Sequence, residues 1–349
     1  MTNETSRTTE EMARFRALFG AMPQKGQEAN YYEWKLRTGT PTEGHLAMVK
    51  MQERIAGTAS VTAKRIAVHG KLHLGFEIGD TYTHPDFRRM GVFLSAVQEC
   101  CRYVVERNGE FIYGTPNDAS LPGYEKKANF VRVPDLRIAV MTKHISPRSA
   151  SAAIARRTGT TTGAGMLGLA VSWFNQVKGS RGADSSISVS ESHFGEFPDV
   201  DGLWGDRAGF SFWTVRDREY INWRYEKNPD DYTLFLAHRG STAVGYVVTK
   251  RFVRGDNVVG AICDFATIGD CKIALGALVA AAEKTLASEG VDYCEVWCAT
   301  RSRQTPVLRA AGYREITSFP VIVFSESALF SSVVGSGNWH FTLSDSDNI

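Results

Sequence analysis

At 349 residues, 43% hydrophobic and 22% charged, the chain has the composition of a soluble globular protein and the length for two cores. A formal net charge of +2 gives no broad field for nucleic acid or acidic membranes, so neither is expected as the principal partner. The six cysteines (Cys100, Cys101, Cys263, Cys271, Cys294, Cys298) form no C-x-x-C pair and have no histidine cluster beside them. Reduced, buried thiols in a cytoplasmic protein are expected, with no disulfide and no metal site.

The opening "MTNETSRTTEEMARF" is polar and acidic, without the apolar stretch of a signal peptide. After it, the first half reads helix, strands, long helix, strand, helix, strand. "HLAMVKM" and "TASVTAK" have strand character and precede a longer strand, "KLHLGFEIGDTYT". That strand breaks at His84-Pro85, passes two arginines and Gly91, and becomes a helix with Phe93, Ala96, Val97, Cys100 and Val104 on one stripe. Asn108-Gly109 suits its left-handed end. "EFIYGT" follows as a short buried strand. The next helix starts near Ser120-Leu121-Pro122, where proline is tolerated because a first-turn N–H has no intrahelical acceptor, and Asn129 ends it.

Residues 146–187 read as a Gly/Ser/Thr-rich linker around "GAGMLGLAVSWF", Gly163 to Phe174. This run falls short of the about 20 residues that cross a bilayer. The first reading is a helix packed between domains. The second is peripheral membrane contact through Met166, Leu167, Trp173 and Phe174 beside Lys178 and Arg181.

The remainder repeats the first half. "YYEWKL" from Tyr31 matches "YINWRY" from Tyr220, 189 positions on; "IAGTASVTAKR" parallels "AVGYVVTKR"; "ANFVRV" parallels "AGYREI", with Phe130 and Tyr313 183 positions apart. Three matches in one order indicate duplication, with loops absorbing the difference. The expected organisation is a catalytic domain over 1–145, the linker over 146–187, and a second, degenerate domain with a tail over 188–349. The fold class is α/β (α+β): mixed, mostly antiparallel sheets flanked by helices.

The basic turn carries the chemistry. A helix N-terminus offers free N–H groups and partial positive charge, Arg88 and Arg89 add formal charge there, and Gly91 permits close approach of a ligand. A pyrophosphate fits such a turn. "THPDFRRMGVFLSAV" with "NDASLPGYEKKANF" downstream resembles the GNAT superfamily of acyl-CoA N-acyltransferases, well over 30–135 and more loosely over 215–325. The resemblance implies two tandem GNAT domains and a CoA loop through Arg88, Arg89, Met90, Gly91, Val92 and Phe93, with Phe93 where the family at large has glycine or alanine. It brings Asn117 to the cofactor site and makes Tyr124 the acid for the departing thiolate. It also implies acetyl-CoA, or another acyl-CoA, as co-substrate.

Amine acyl transfer needs a base as well. The strand offers Glu77 and Asp80, and strict alternation puts them on opposite faces. Glu77 matches the family's base position and Asp80 is the alternative. Backbone N–H groups near Thr81, Tyr82 and Thr83 are expected to polarise the thioester carbonyl. In the second half "IGDCKIALG" replaces the loop, with Asp270 where phosphate would sit, and Thr300 and Val307 stand for Asn117 and Tyr124. That copy is read as a fold kept for architecture, with walling of an acceptor pocket between the halves as its expected use. "SFWTVRDREYINWRY" reads as a packed helix surface, with Trp213, Arg216, Tyr220, Trp223 and Arg224 as the alternative pocket lining; the closing "GNWHFTLSDSDNI" receives no role. The expected reaction is direct N-acyl transfer, by resemblance N-acetyl transfer, to a primary amine such as an amino sugar or sugar nucleotide. A non-catalytic CoA-binding scaffold and a cell-wall-precursor transferase of the tandem type are the alternatives.

Overall fold

The computed structural model describes residues 31–37, 42–159, 165–170, 186–198, 210–335 and 337–346. The polar N-terminal stretch and the linker residues Trp173, Phe174, Lys178 and Arg181 lie outside them. The first repeat runs α1 (Tyr31–Leu36), β1 (His45–Met51), β2 (Arg54–Val68), β3 (Lys71–Thr83), α2 (Val92–Glu106), β4 (Phe111–Gly114), α3 (Leu121–Lys127) and β5 (Val131–His144). After α4 (Pro147–Thr158), a short helix α5 (165–170), β6 (Ser188–Ser192) and β7 (Phe212–Thr214), the order recurs. It comprises α6 (Arg218–Ile221), β8 (Thr233–Arg239), β9 (Thr242–Arg254), β10 (Asn257–Thr267), α7 (Lys272–Ser288), β11 (Tyr293–Ala299), α8 (Thr305–Ala311) and β12 (Arg314–Phe324). A last helix, α9 (Phe330–Gly335), precedes the segment 337–346.

The two repeats share one sheet, in the order β1-β2-β3-β4-β12-β5-β11-β10-β9-β8-β6, with β7 pairing the end of β2. The last strand of each repeat has crossed over. β12 lies between β4 and β5, and β5 lies between β12 and β11, all antiparallel. Two pairings are parallel, β3 with β4 and β10 with β11, one in each repeat.

On one face α2 covers β1–β3 through Ala96, Val97, Cys100 and Val104, and α7 covers the second half through Leu275, Leu278 and Leu286. Asn108, at φ 58, and Asn129, at φ 59, take the left-handed positions expected at the helix ends. The opposite face is covered by α9 and by the C-terminal segment. Trp339 and Phe341, at 0% and 1% exposure, pack there with Phe212 and Tyr113. This segment, which received no role from its sequence, is interior from Trp339 to Ser346. Its polar groups close on Arg216, which donates to Asp264, Thr342, Ser344 and Asp345 without exposed surface. The six cysteines are free thiols, five buried and Cys271 half-buried.

Candidate active site

The turn after β3 is built from the bottom by Phe87, which is buried against Ala56 and Val92. His84 starts it as a short 3-10 turn by accepting from the Asp86 N–H. The chain then reaches α2 through two left-handed residues, Arg89 at φ 66 and Gly91 at φ 83. No side chain caps the helix at Gly91. A β-carbon at Gly91 would meet nothing within 4 Å, so the first-turn amides open outward. The opening is a cavity of about 280 Å³ walled by Arg88, Arg89, Phe93, Ser120, Gly123 and Lys127, with Thr83 and Val92 also on its lining.

A second cavity, of about 220 Å³, begins at Ser120 and lies between β3 and β4. Its cause is topological. The two strands pair only from Gly75 to Glu77 and from Phe111 to Tyr113, and then splay. Beyond Glu77 the β4-facing edge of β3 has no strand partner, which leaves its outward amides for a ligand.

A β-bulge shapes the same stretch. Gly79 opposes Ser60 and Tyr82 opposes Thr58, so Asp80 and Thr81 together face Ala59, and Asp80 takes φ 48. Strict alternation therefore fails here, and the expected opposition of Glu77 and Asp80 is corrected. Both carboxylates stand on the face of Ser60 and Lys64, while Thr81 turns to the α3 side. There the Thr81 and Tyr124 hydroxyls are hydrogen-bonded at 2.5 Å.

Tyr124 is 3% exposed and held edge-on between Phe93 and Phe130. Burial lifts its phenol far above the ordinary range, against the Thr81 hydrogen bond that lowers it. Glu77 is bonded to Lys64 at 2.7 Å, and Lys64 also donates to the Asp345 carbonyl at 3.0 Å, as Tyr113 does at 2.9 Å. The tail thus fastens the Glu77 side of the cavity. Asp80 receives Lys35 at 2.5 Å and Ser60 at 2.9 Å, both on Oδ2. Among the described residues its Oδ1 accepts no hydrogen bond. Asn117 commits its side-chain oxygen to Ala119 N, Ser120 N and the Ser120 hydroxyl, leaving its NH₂ for a ligand.

Of the residues singled out by sequence, Glu77, Asp80, Thr81, Asn117 and Tyr124 line the inner cavity and Thr83, Arg88, Arg89, Gly91, Val92 and Phe93 the outer one. Met90 is 54% exposed and Tyr82 packs with Tyr32 and Ile55; neither is on the lining of these two cavities. Lys35, Ser60 and Lys64 were not singled out. Lys35 was visible as the basic residue of "YYEWK", the motif that repeats at Arg224.

The second repeat has a matching bulge, between Ile262 and Asp264. There Asp264 is covered by Arg216, Tyr225, Tyr246 and Thr342. Its own tail occupies the place that stands open in the first repeat.

Residues 5–128 match the Acetyltransferase (GNAT) domain family. No curated protein matches the chain in sequence. Among solved structures, a tandem GNAT protein from the clavulanic acid biosynthesis pathway superposes with a TM-score of 0.59 at 12% identity, over 93% of this chain and 96% of that one. A GCN5-related N-acetyltransferase from Anabaena variabilis gives 0.58 at 11% identity, over 93% and 70%. The N-myristoyltransferase of Saccharomyces cerevisiae with bound myristoyl-CoA also gives 0.58 at 11%, over 85% and 74%. At these identities the likeness is one of fold. The chain has a tandem GNAT fold, and its N-terminal part, residues 5–128, matches the GNAT acetyltransferase domain family.

Proposed function

We propose that the protein is an acyl-CoA-dependent N-acyltransferase with its reaction centre in the first repeat. In this reading it moves an acyl group, acetyl in the simplest case, directly to a primary amine within a ternary complex. The observation that carries the reading is the uncapped N-terminus of α2 at Gly91, which opens beside two arginines and meets the splayed-strand cavity at Ser120.

The α2 amides, Arg88 and Arg89 hold the pyrophosphate, which Gly91 admits to the backbone because it carries no side chain. The thioester lies along the unpaired edge of β3, where amides about Thr81 polarise its carbonyl. The amine arrives from the Glu77 and Asp80 face. Its nitrogen lone pair forms the C–N bond as the C–S bond breaks. Sulfur takes the Tyr124 proton, and the surplus amine proton passes to Asp80 and then to water; Tyr124 is reprotonated from solvent.

Each carboxylate is bonded to a buried lysine; Asp80 is preferred to Glu77 as base because its side chain is 16% exposed against 4% and its hydrogen bonds from Lys35 and Ser60 both fall on Oδ2. Lys35 fixes the orientation of Asp80 through Oδ2. Calorimetry with CoA and thiol release over a panel of amines, an amino sugar and a sugar nucleotide included, test the reading together. CoA binding that Gly91→Glu abolishes is expected; binding indifferent to that change would refute it.

A further inference from the structure

Among the described residues lining the inner cavity, Ile322 is the single one from the second repeat. It arrives there because β12 has crossed to pair with β4, which sets Ile322 opposite Gly114. The gap between β3 and β4 narrows to a vertex where pairing begins at Glu77 and Tyr113, and Ile78, Gly114 and Ile322 stand at that vertex. Spare room is lacking: a β-carbon on Gly114 would come within 2.8 Å of Ile78 Cγ2 and 3.8 Å of Ile322 Cγ1. Ile322 has no exposed surface and belongs to the same apolar cluster as Ile78 and Tyr124.

The two joined cavities are therefore ordered. Arginines and open helix amides wall the outer one; the inner one carries the Tyr124–Thr81 hydroxyl pair and closes at Ile78, Gly114 and Ile322, with the Glu77 and Asp80 carboxylates on its other side. An acyl-CoA carries its pyrophosphate, thioester and acyl chain in that same order. We infer that Ile322, with Ile78, is the end wall of the acyl pocket, so that the second repeat limits the acyl chain to short lengths such as acetyl and propionyl. This rests on the acyl-CoA reading above.

Calorimetric titration separates the two claims without knowledge of the acceptor. Binding of free CoA reports on the socket; the ratio of hexanoyl-CoA to acetyl-CoA dissociation constants reports on the wall. The wild-type protein is expected to favour acetyl-CoA. Ile322→Ala removes the outer carbons of the side chain, and each chain methylene then buried is worth about fourfold in affinity. The ratio should fall at least about tenfold, with free CoA affinity unchanged. Ile322→Val, a milder change to the core, should shift the butyryl-CoA to acetyl-CoA ratio the same way by about fourfold. Unmoved ratios in both folded variants, or wild-type preference for hexanoyl-CoA, would overturn the inference while leaving the socket intact. Failure of the wild-type protein to bind free CoA would instead remove the reading beneath it.

Discussion

Trp34 and Trp223 stack with ring centroids 5.3 Å apart and planes 13° from parallel, and each indole N–H donates to the other's backbone carbonyl, at 2.6 and 2.9 Å. The pair is reciprocal because the residues are equivalents in the duplicated sequence. It joins α1 to the helical turn after α6 across the symmetry of the repeats, and Arg224 lies over the Trp34 ring at 5.4 Å. Lys35 follows Trp34 directly, so the joint also sets the residue that holds Asp80. Trp34→Ala is expected to cost about 2–3 kcal/mol, less than a fully buried aromatic. A double-mutant cycle with Trp223→Ala, read by chemical denaturation, should return a coupling of about 1 kcal/mol.

The socket makes separate predictions for charge and for backbone. On the proposed function, Arg88→Gln would remove a charge-assisted hydrogen bond to the pyrophosphate and should weaken CoA about 10- to 100-fold, with a shallower dependence of affinity on salt. Gly91→Ala places its β-carbon in open space, at a φ of 83 that costs an L-residue about 1 kcal/mol. Its loss of affinity should be much smaller than that of Gly91→Glu, in the same titration.

Tyr124→Phe keeps the buried ring and deletes the proton. Turnover should fall about 10²- to 10⁴-fold with little change in the KM for acyl-CoA. Burial holds the phenol above its ordinary 10.0, so the proton-bearing form persists across the assay range. The pH profile of kcat should then carry no alkaline limb from Tyr124 below about pH 10.

Asp80→Asn and Glu77→Gln divide chemistry from structure. The first should lower kcat of the folded fraction at least about 10²-fold, in addition to the stability lost when buried Lys35 is left with Ser60. The second removes the carboxylate to which buried Lys64 is bonded and should cost about 3–5 kcal/mol of stability, with a lesser effect on turnover of the folded fraction. The reverse pattern would assign the base to Glu77.

What could be read from the chain follows from which forces are local. β1 and β3 coincide with "HLAMVKM" and "KLHLGFEIGDTYT", and the end of α2 with Asn108, because apolar alternation and left-handed residues write themselves into short windows. The duplication was legible from the aromatic spacing around Trp34 and Trp223. Crossing of β5 and β12 was not, because neighbouring strands in a sheet need not be neighbours in sequence. The Asp80 bulge was hidden for a different reason: the left-handed residue is an aspartate rather than glycine. The burial of the tail was not legible either. "TLSDS", Thr342 to Ser346, is mostly polar, and long-range partners such as Arg216 and Lys64 make its burial tolerable.

Arg216 is the counter-charge to both Asp264 and Asp345, and none of the three has appreciable exposure. Arg216→Met would leave two buried carboxylates facing each other and should cost more than the about 3–5 kcal/mol typical of one broken buried pair. Asp345→Asn is the milder probe. Burial alone would raise the Asp345 carboxyl, but Arg216 and then Lys64 outweigh it and hold it below its ordinary 3.8. A depressed carboxyl contributes stability that is complete above the unfolded value and is lost as pH falls through the folded one. Urea denaturation should therefore find the wild-type protein weakening below about pH 4, and Asp345→Asn less stable at pH 7 but with a flatter decline on acidification. An equally steep acid decline in the variant would mean that Asp345 is not the group whose protonation loosens the tail.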